Sequence, residues 1–303
     1  SAVDFMGTTG VDTLTGKFAA NGAPIAETFA GGAGDDVITG NGGADVIYAG
    51  IGDDAIVLNA DNIAKLQASF STVDGQLARI DGGGGLDTLR LTGGANIDLT
   101  KIANQSAGDV KTGSRISSIE KIDLATDTAA NALIISAKDV VDMAGMNLCN
   151  TGNGWSNSSG TPLSATVVKH QLVIDGGSND YLLFSDSSSW SLAGMVSYNN
   201  ATYTVFNNNL SAAQLLVRSQ TGAPLAPTVT DDVLEYTGPI ADSGLTNDAT
   251  PTISGTTLAG ATVTIYDGAT TLGTVTANSA GAWSYTTSTL TNGSHSISYT
   301  IKD

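Results

Sequence analysis

The chemistry-bearing residues of this chain stand in a rhythm. In GGAGDDVITGNGGADVIYAGIGDDAIV, residues 31–57, Asp36, Asp45 and Asp54 each follow a run of glycines, and Ile38, Ile47 and Ile56 each come two places later. Aligned on the acid, the repeats are 31–39, 40–48 and 49–57; weaker copies occupy 7–15 and 22–30, with Glu27 in the acid slot, and another spans 82–90. The glycine half must turn tightly and aim carbonyl oxygens inward, which calls for a backbone free of Cβ. The other half is a very short strand whose single aliphatic residue fills a narrow interior. If two repeats complete one coil, Asp36 lies over Asp54 on one edge and Glu27 over Asp45 on the other. Stacked carboxylates repel one another unless a hard cation sits between them, and an all-oxygen donor set selects Ca2+ over transition metals. The expected ligands are Asp12, Glu27, Asp36, Asp45, Asp54 and Asp87, with main-chain oxygens at Gly32, Gly34, Gly43 and Gly52, holding several Ca2+ ions.

These nonapeptides resemble the RTX (repeats-in-toxin) β-roll, a calcium-binding parallel β-helix. The resemblance implies a segment that folds only when calcium is present. The sequence departs from the pattern at Asn41 and Ala49, where glycine is usual, and at Glu27. Asn tolerates a left-handed backbone, whereas Ala49 is expected to weaken the clamp on its edge.

Composition agrees with a cation binder. The chain of 303 residues has 29 acidic and 12 basic residues, a formal net charge of −17, which would repel nucleic-acid phosphates and anionic membrane surfaces. With 37 glycines and few long helix formers, an all-β, turn-rich architecture is favoured. The lone Cys149 cannot form an internal disulfide. No apolar run is long enough to span a bilayer. The opening SAVDFMGTTG lacks the marks of a signal peptide and SISYTIKD stops on an expected strand, so the chain reads as an excerpt of a longer one.

Beyond the repeats, Ile63, Leu66 and Phe70 in NADNIAKLQASF have helical spacing, and Ser136 to Asp139 in SAKDVVDMA forms a capping box for a second short helix. IDGGGGLDTLRL (80–91) and VIDGGSNDYLLF (173–184) share a plan of aliphatic, Asp-Gly-Gly, second Asp and strand. ISSIEKIDL (116–124) alternates as a strand does. Aromatics gather late, at Trp155, Tyr181, Phe184, Trp190, Tyr198, Tyr203 and Phe206. Most could fill a core, but aromatic residues on polar loops also make recognition surfaces, and Trp155, in NTGNGWSNSSG, is the one expected to be exposed. This order of parts over residues 1–220 resembles the calcium-dependent peptide-binding modules of large bacterial RTX adhesins. The resemblance implies a split sandwich carrying the roll, in which a calcium ion at a pocket helps hold the C-terminal carboxylate of a partner protein. The oxygen-bearing or aromatic candidates for that pocket are Asn153, Trp155, Asp175, Asp180, Asp186 and Trp190; turn capping is the alternative role for the acids.

TGAPLAP (221–227) reads as a Pro-punctuated linker. From 228 to 303, PTISGTT, ATVTIYDG, LGTVTANSAGAWSYTT and GSHSISYTIKD alternate strictly with regular turns, the signature of a β-sandwich. The segment is similar to the bacterial Ig-like repeats that extend adhesins, with Trp283 as a core residue and Tyr285 facing the same side. Calcium often stiffens the junctions of such repeats; Asp231, Asp232, Asp242, Asp248 and Asp303 are the candidate ligands, and capping of turns is the competing role.

No catalytic constellation stands out. His170 and His295 lie in different segments, no nucleophile elbow or phosphate-binding loop is present, and Cys149 has no motif around it. The expected fold class is all-β: a calcium-bound parallel β-roll (about 7–57, with a further repeat at 82–90) merged with a β-sandwich over 1–220, then an Ig-like β-sandwich over 228–303. The expected role is non-enzymatic, that of a secreted, bacterial cell-surface adhesin segment, monomeric as a fragment. It would recognise a peptide, by resemblance a protein C-terminus, for attachment and biofilm formation, with no nucleic acid and no membrane insertion. A calcium-stiffened spacer and a carbohydrate-binding module recognising a glycan are the alternatives.

Overall fold

The structure, a computed structural model, describes residues 2–103, 114–160, 163–177, 179–186, 189–218, 228–234, 237–240, 244–256, 262–268, 270–278 and 282–302. The 221–227 linker, Asp242 and Asp303 lie outside the described residues. The chain divides into two compact units, 1–180 with 189–222, and 181–188 with 223–303. The architecture is all-β, with two short α-helices among the described residues.

In the first unit the repeats wind into two parallel sheets. One stacks Phe5–Met6, Thr28–Ala33, Val46–Ile51, Arg79–Gly84 and Ile116–Ser117 in that order. The other stacks Thr13–Thr15, Val37–Thr39, Ala55–Leu58, Thr88–Leu91, Lys121–Asp123, His170–Asp175 and Ala213–Arg218, all parallel. The register is set by the aliphatics. Phe29, Ile47, Ile80 and Ile116 superpose in one sheet, and Ile38, Ile56, Leu89, Ile122 and Ile174 in the other. Each of these is almost wholly buried, so a slip by one residue would turn the whole set to solvent.

The merger of roll and sandwich therefore takes a specific form: the parallel ladder continues well past the nonapeptides, and loops are inserted between its rungs. One insertion carries helix α1 (Ala60–Gln67), whose cap Asn59 accepts from the Asp61 and Asn62 N–H groups. Ile63 and Leu66 face the core, but Phe70 falls beyond the helix end and is exposed, so it does not belong to the apolar stripe. Another carries helix α2 (Ala137–Met143), closed at its start by the reciprocal Ser136–Asp139 capping box. At the far edge, strands Ala201–Asn208, Trp190–Tyr198 and Ser156–Gly160 add to Ala213–Arg218 in antiparallel fashion. Trp155, Leu163, Val196, Tyr203, Val205 and Leu216 form the core there. Among the described residues no helix is long and apolar enough to cross a membrane.

The second unit contains a four-stranded antiparallel sheet (Gly238–Pro239, Thr228–Asp231, Thr252–Thr256, Ala282–Thr286) and a three-stranded one (Thr270–Thr276, Thr262–Asp267, Ile297–Lys302). Ile253, Val263, Ile265, Trp283 and Tyr299 are its core. Trp283 is buried and Tyr285, on the same face of its strand, packs against that core and donates its hydroxyl to the Leu272 carbonyl at 2.6 Å.

Candidate metal centre and ligand pocket

Along one edge of the roll the acids form a continuous column. The Asp12 N–H donates to Asp36 Oδ1 at 2.7 Å, Asp36 N–H to Asp54 Oδ1 at 2.7 Å, and Asp54 N–H to Asp87 Oδ1 at 2.9 Å. The next link is Asp87 N–H to Glu120 Oε2 at 2.9 Å. One oxygen of each acid is thus used to hold the coil before it. The other oxygens, Asp36 Oδ2, Asp54 Oδ2 and Asp87 Oδ2, are buried and have no hydrogen-bond partner among the described residues. A buried carboxylate oxygen without a donor is costly, and three in a row on one edge call for a cation.

Main-chain oxygens converge on the same places. A β-carbon built on Gly31 would collide with the Ala49 carbonyl oxygen and lie 2.6 Å from Asp36 Oδ2. The notch at Gly82 likewise brings together the Ser118 carbonyl and Asp87 Oδ2. At Gly7, and on the opposite edge at Gly16, the acid oxygen beside the carbonyl already accepts a hydrogen bond, Asp12 Oδ2 from Thr8 and Glu27 Oε2 from the Lys17 N–H. Among the described residues no three Asp, Glu, His or Cys side chains cluster closely enough to cage an ion by themselves. The donor set is mixed, with carboxylates from adjacent coils and carbonyls at the first position of each repeat. Hard oxygen donors of this kind suit calcium.

The opposite edge is built differently. Glu27 N–H donates to Asp45 Oδ1 at 3.0 Å, but Asp45 Oδ2 accepts from Asn62 Nδ2 at 2.9 Å. In the Gly40 notch, where the other slots offer a carbonyl, the Asn62 amide nitrogen stands 2.8 Å from the β-carbon position. Helix α1 thus inserts a donor where a cation would sit. Burial, ahead of the neighbouring Glu27 charge, raises Asp45 to about 7. Burial likewise raises Asp87 to about 7, ahead of repulsion from Glu120 and Asp54. Glu27, Asp54 and Glu120 are raised too, desolvation leading in each case.

Glycines of the repeats, Gly43 and Gly52 of the expected ligands among them, have a packing role. A β-carbon on Gly50 would collide with the Gly32 carbonyl, one on Gly52 with that of Gly34, one on Gly85 with that of Gly52, and one on Gly43 with that of Ile25. The coils are in backbone contact there. Asn41 takes the left-handed φ of 60° that its slot needs. Ala49 is fully buried and is not left-handed, so its methyl is compatible with the local backbone, and it is its carbonyl that faces Asp36.

Sequence reasoning missed Glu120, Ser118 and the first-position carbonyls of Gly31 and Ala49. Glu120 was legible: Glu-Lys-Ile at 120–122 repeats the acid-x-aliphatic order of Asp54-Ala-Ile and Asp87-Thr-Leu. Its glycine run is absent, because Ser118, at φ 53°, makes a shorter turn.

Beside this end of the column lies a cavity of about 310 Å³, lined by the rings of Trp155, Tyr198 and Tyr203, by Leu86, Leu148 and Val173, and by Glu120, Lys121 and Asn153 among its polar groups. Trp155 differs from its expected exposure. It is 6% exposed, stacked on Tyr198 at 4.6 Å and edge-on to Tyr203 at 5.1 Å. Its polar neighbours turn outward on a solvent-facing strand, Ser156–Gly160, while the ring turns in. Asn153 is a wall residue and donates to the Leu148 carbonyl at 2.8 Å. Asp175 stands behind the wall, ion-paired to Lys121 at 2.5 Å. Trp190, Asp180 and Asp186 are not among the lining residues. Asp180 accepts the Asn131 N–H at 2.9 Å and the Gly177 N–H at 2.7 Å, a turn-organising role, and Trp190 begins a strand paired with Asn208. Asp186 belongs to the 181–188 segment, which groups with the other compact unit.

In the second unit Asp231 accepts from Val233 N–H at 2.8 Å and the Thr246 hydroxyl at 2.6 Å, and Asp248 accepts from Thr250 N–H at 2.7 Å. Thr246 links them by also accepting the Asp248 N–H at 2.9 Å. Both acids hold turns, and the second oxygen of Asp248, Oδ2, is buried with no hydrogen-bond partner among the described residues. His295 pairs with Asp267 at 2.7 Å, His170 Nδ1 meets the Ala144 carbonyl at 2.7 Å, and burial pushes the Cys149 thiol up to about 12.

Comparison with known proteins agrees with the column and the sandwich. Residues 22–56 match the RTX calcium-binding nonapeptide repeat (4 copies), and residues 223–303 match the bacterial Ig-like domain. The chain thus carries calcium-binding repeats and an Ig-like domain, a combination that fits a secreted or surface protein. No curated protein and no solved structure matches the chain significantly.

Proposed function

We propose that residues 1–220 are a calcium-folded, non-enzymatic recognition module of a bacterial surface adhesin, joined through 221–227 to an Ig-like extender. The observation that carries the reading is the position of the aromatic cavity at the end of the acid column, with Glu120 common to both. Three rings and three aliphatic side chains supply an apolar seat, and Lys121 and Asn153 supply polar groups at its wall. Such a seat suits the end of a peptide chain: an apolar last side chain beside a carboxylate, the carboxylate being drawn to calcium. Attachment of one cell to another or to a surface, and biofilm growth, would follow from a module of this kind at the tip of a long secreted chain.

Calcium would couple export to folding. Where free calcium is scarce the −17 charge keeps the chain expanded; outside, sites with affinities of roughly 10⁻⁴ to 10⁻³ M fill, and binding energy becomes folding energy. The test is isothermal titration of the 303-residue chain, in calcium, against panels of C-terminal peptides, the same peptides amidated, and glycans. Peptide binding lost on amidation supports the reading, and glycan binding alone turns it towards a carbohydrate-binding module. No binding by any panel leaves a calcium-stiffened spacer, a reading that full burial of both Trp155 and Trp190 would favour; Trp155 is buried and Trp190 only partly so.

A further inference from the structure

The matched repeats end at residue 56, but the acid column does not. We propose that a calcium site lies beyond the repeats, between Asp87 and Glu120, and that the ion there braces the wall of the aromatic cavity. The site is made by Asp87 Oδ2, the Ser118 carbonyl oxygen and the Glu120 carboxylate.

Asp87 is fully buried, and its Oδ2 has no hydrogen-bond partner among the described residues. That oxygen lies 2.6 Å from the β-carbon position of Gly82, a position that the Ser118 carbonyl oxygen also approaches. The same pairing of carboxylate and next-coil carbonyl occurs at Gly31, inside the matched repeats. Ser118 reaches its place because the strand Ile116–Ser117 pairs in register with Ile80 and Asp81, which sets Ser118 beside Gly82. Glu120 is 7% exposed. Besides the Asp87 N–H, its carboxylate accepts from Gly145 and from its own N–H. A carboxylate has about four lone-pair sites, so capacity for a metal remains. The extra methylene of Glu over Asp suits the shorter turn, which runs from Ser118 to Glu120 where the earlier coil runs from Gly82 to Asp87.

Sequence neighbours of these ligands are cavity walls. Leu86 and Thr88 flank Asp87, Lys121 follows Glu120, and all three line the cavity with Glu120 itself. Filling the site fixes two adjacent rungs of the wall that faces Trp155. The second half of the proposal rests on the reading of that cavity as a recognition site; the metal site does not.

The experiment uses the full chain. An anomalous difference map from wild-type crystals grown with terbium in place of calcium should show a peak between Asp87 and Glu120. Peaks beside Asp36 and Asp54 with none at Asp87–Glu120 would overturn the proposal. In solution, native mass spectrometry should count one calcium fewer in Glu120→Gln than in wild type, and an equal count would also overturn it. If Glu120→Gln does not fold, the wild-type map decides. The coupling is read from the part of the tryptophan emission that Trp155→Phe removes. In the calcium-saturated proteins, both folded, it should differ between wild type and Glu120→Gln; identical emission sinks the coupling. A terbium peak together with silence from every peptide and glycan panel upholds the metal site and ends the recognition reading.

Discussion

The two edges of the roll come from the same nonapeptide and end in opposite states. On the Asp36–Asp54–Asp87 edge each carboxylate keeps one buried oxygen without a donor. On the Glu27–Asp45 edge Asn62 reaches from α1 and satisfies Asp45 through its amide. The repeat alone does not decide whether a slot takes an ion. What fills the adjacent coil does: a main-chain carbonyl leaves an acceptor-only notch, while an amide nitrogen supplies the positive end of a dipole in place of a cation. The contrast assigns most of the calcium dependence to the first edge.

The largest effect expected is from removing the metal. Without a cation the first edge buries several mutually repelling carboxylates, and in excess EDTA the circular dichroism of residues 1–220 should lose its strand signal. A melting temperature unchanged by EDTA would contradict the assignment.

Acid should partly replace calcium. Asp45 and Asp87 have folded values of about 7, above the unfolded value of 3.8, so folding takes up protons. In EDTA the stabilisation from these groups is fully present below about pH 4 and is lost as the pH rises towards 7. With calcium the order reverses, because binding requires the ionised acids and weakens as they protonate. Melting temperature against pH, measured with EDTA and with calcium, should give slopes of opposite sign.

Single substitutions separate the edges. Asp54→Asn removes a ligand charge from the open edge and should weaken calcium binding at least about tenfold. Asp45→Asn, in a slot already closed by an amide, should change it far less. The converse is Asn62→Asp, whose Oδ1 can still accept the Gly42 N–H that Asn62 accepts at 2.9 Å. It turns the plug into a ligand, and native mass spectrometry should count one more ion. If Asp45→Asn proves as harmful as Asp54→Asn, the distinction between the edges is wrong.

Much of this was legible in the sequence because the repeat is strict. Nine-residue spacing, in-register isoleucines and acid slots determine the coil, the two edges and the stacking of Asp36 on Asp54. Glycine-poor rungs were harder. Glu120 and Ser118 continue the ladder with only Glu-x-Ile to mark them, and the partner rungs of Ile122 and Ile174 are separated by a long insertion. Asn62 looked like part of a helix, which it is, and nothing local tells that its amide crosses to Asp45. Trp155 was misjudged for a related reason. Its neighbours on both sides are exposed, and Trp155 alone turns inward, onto Tyr198 and Tyr203, so the composition of the stretch describes every residue but the ring.

Ala49 gives the smallest and most discriminating comparison, because the repeat pattern asks for glycine there and the structure does not. Its backbone is not left-handed, and the atom it turns towards Asp36 is a carbonyl oxygen, which every residue has. Ala49→Gly should therefore leave calcium affinity unchanged and cost only the extra freedom of the unfolded chain, about 0.4–1 kcal/mol. Gly50→Ala, one residue on, should be far worse: its φ is 126° and its new methyl would strike the Gly32 carbonyl. Calcium titrations of the two variants, followed by circular dichroism, check both. Tighter calcium binding by Ala49→Gly would mean that the methyl obstructs the clamp after all, and that the first position acts through its side-chain space and not its oxygen.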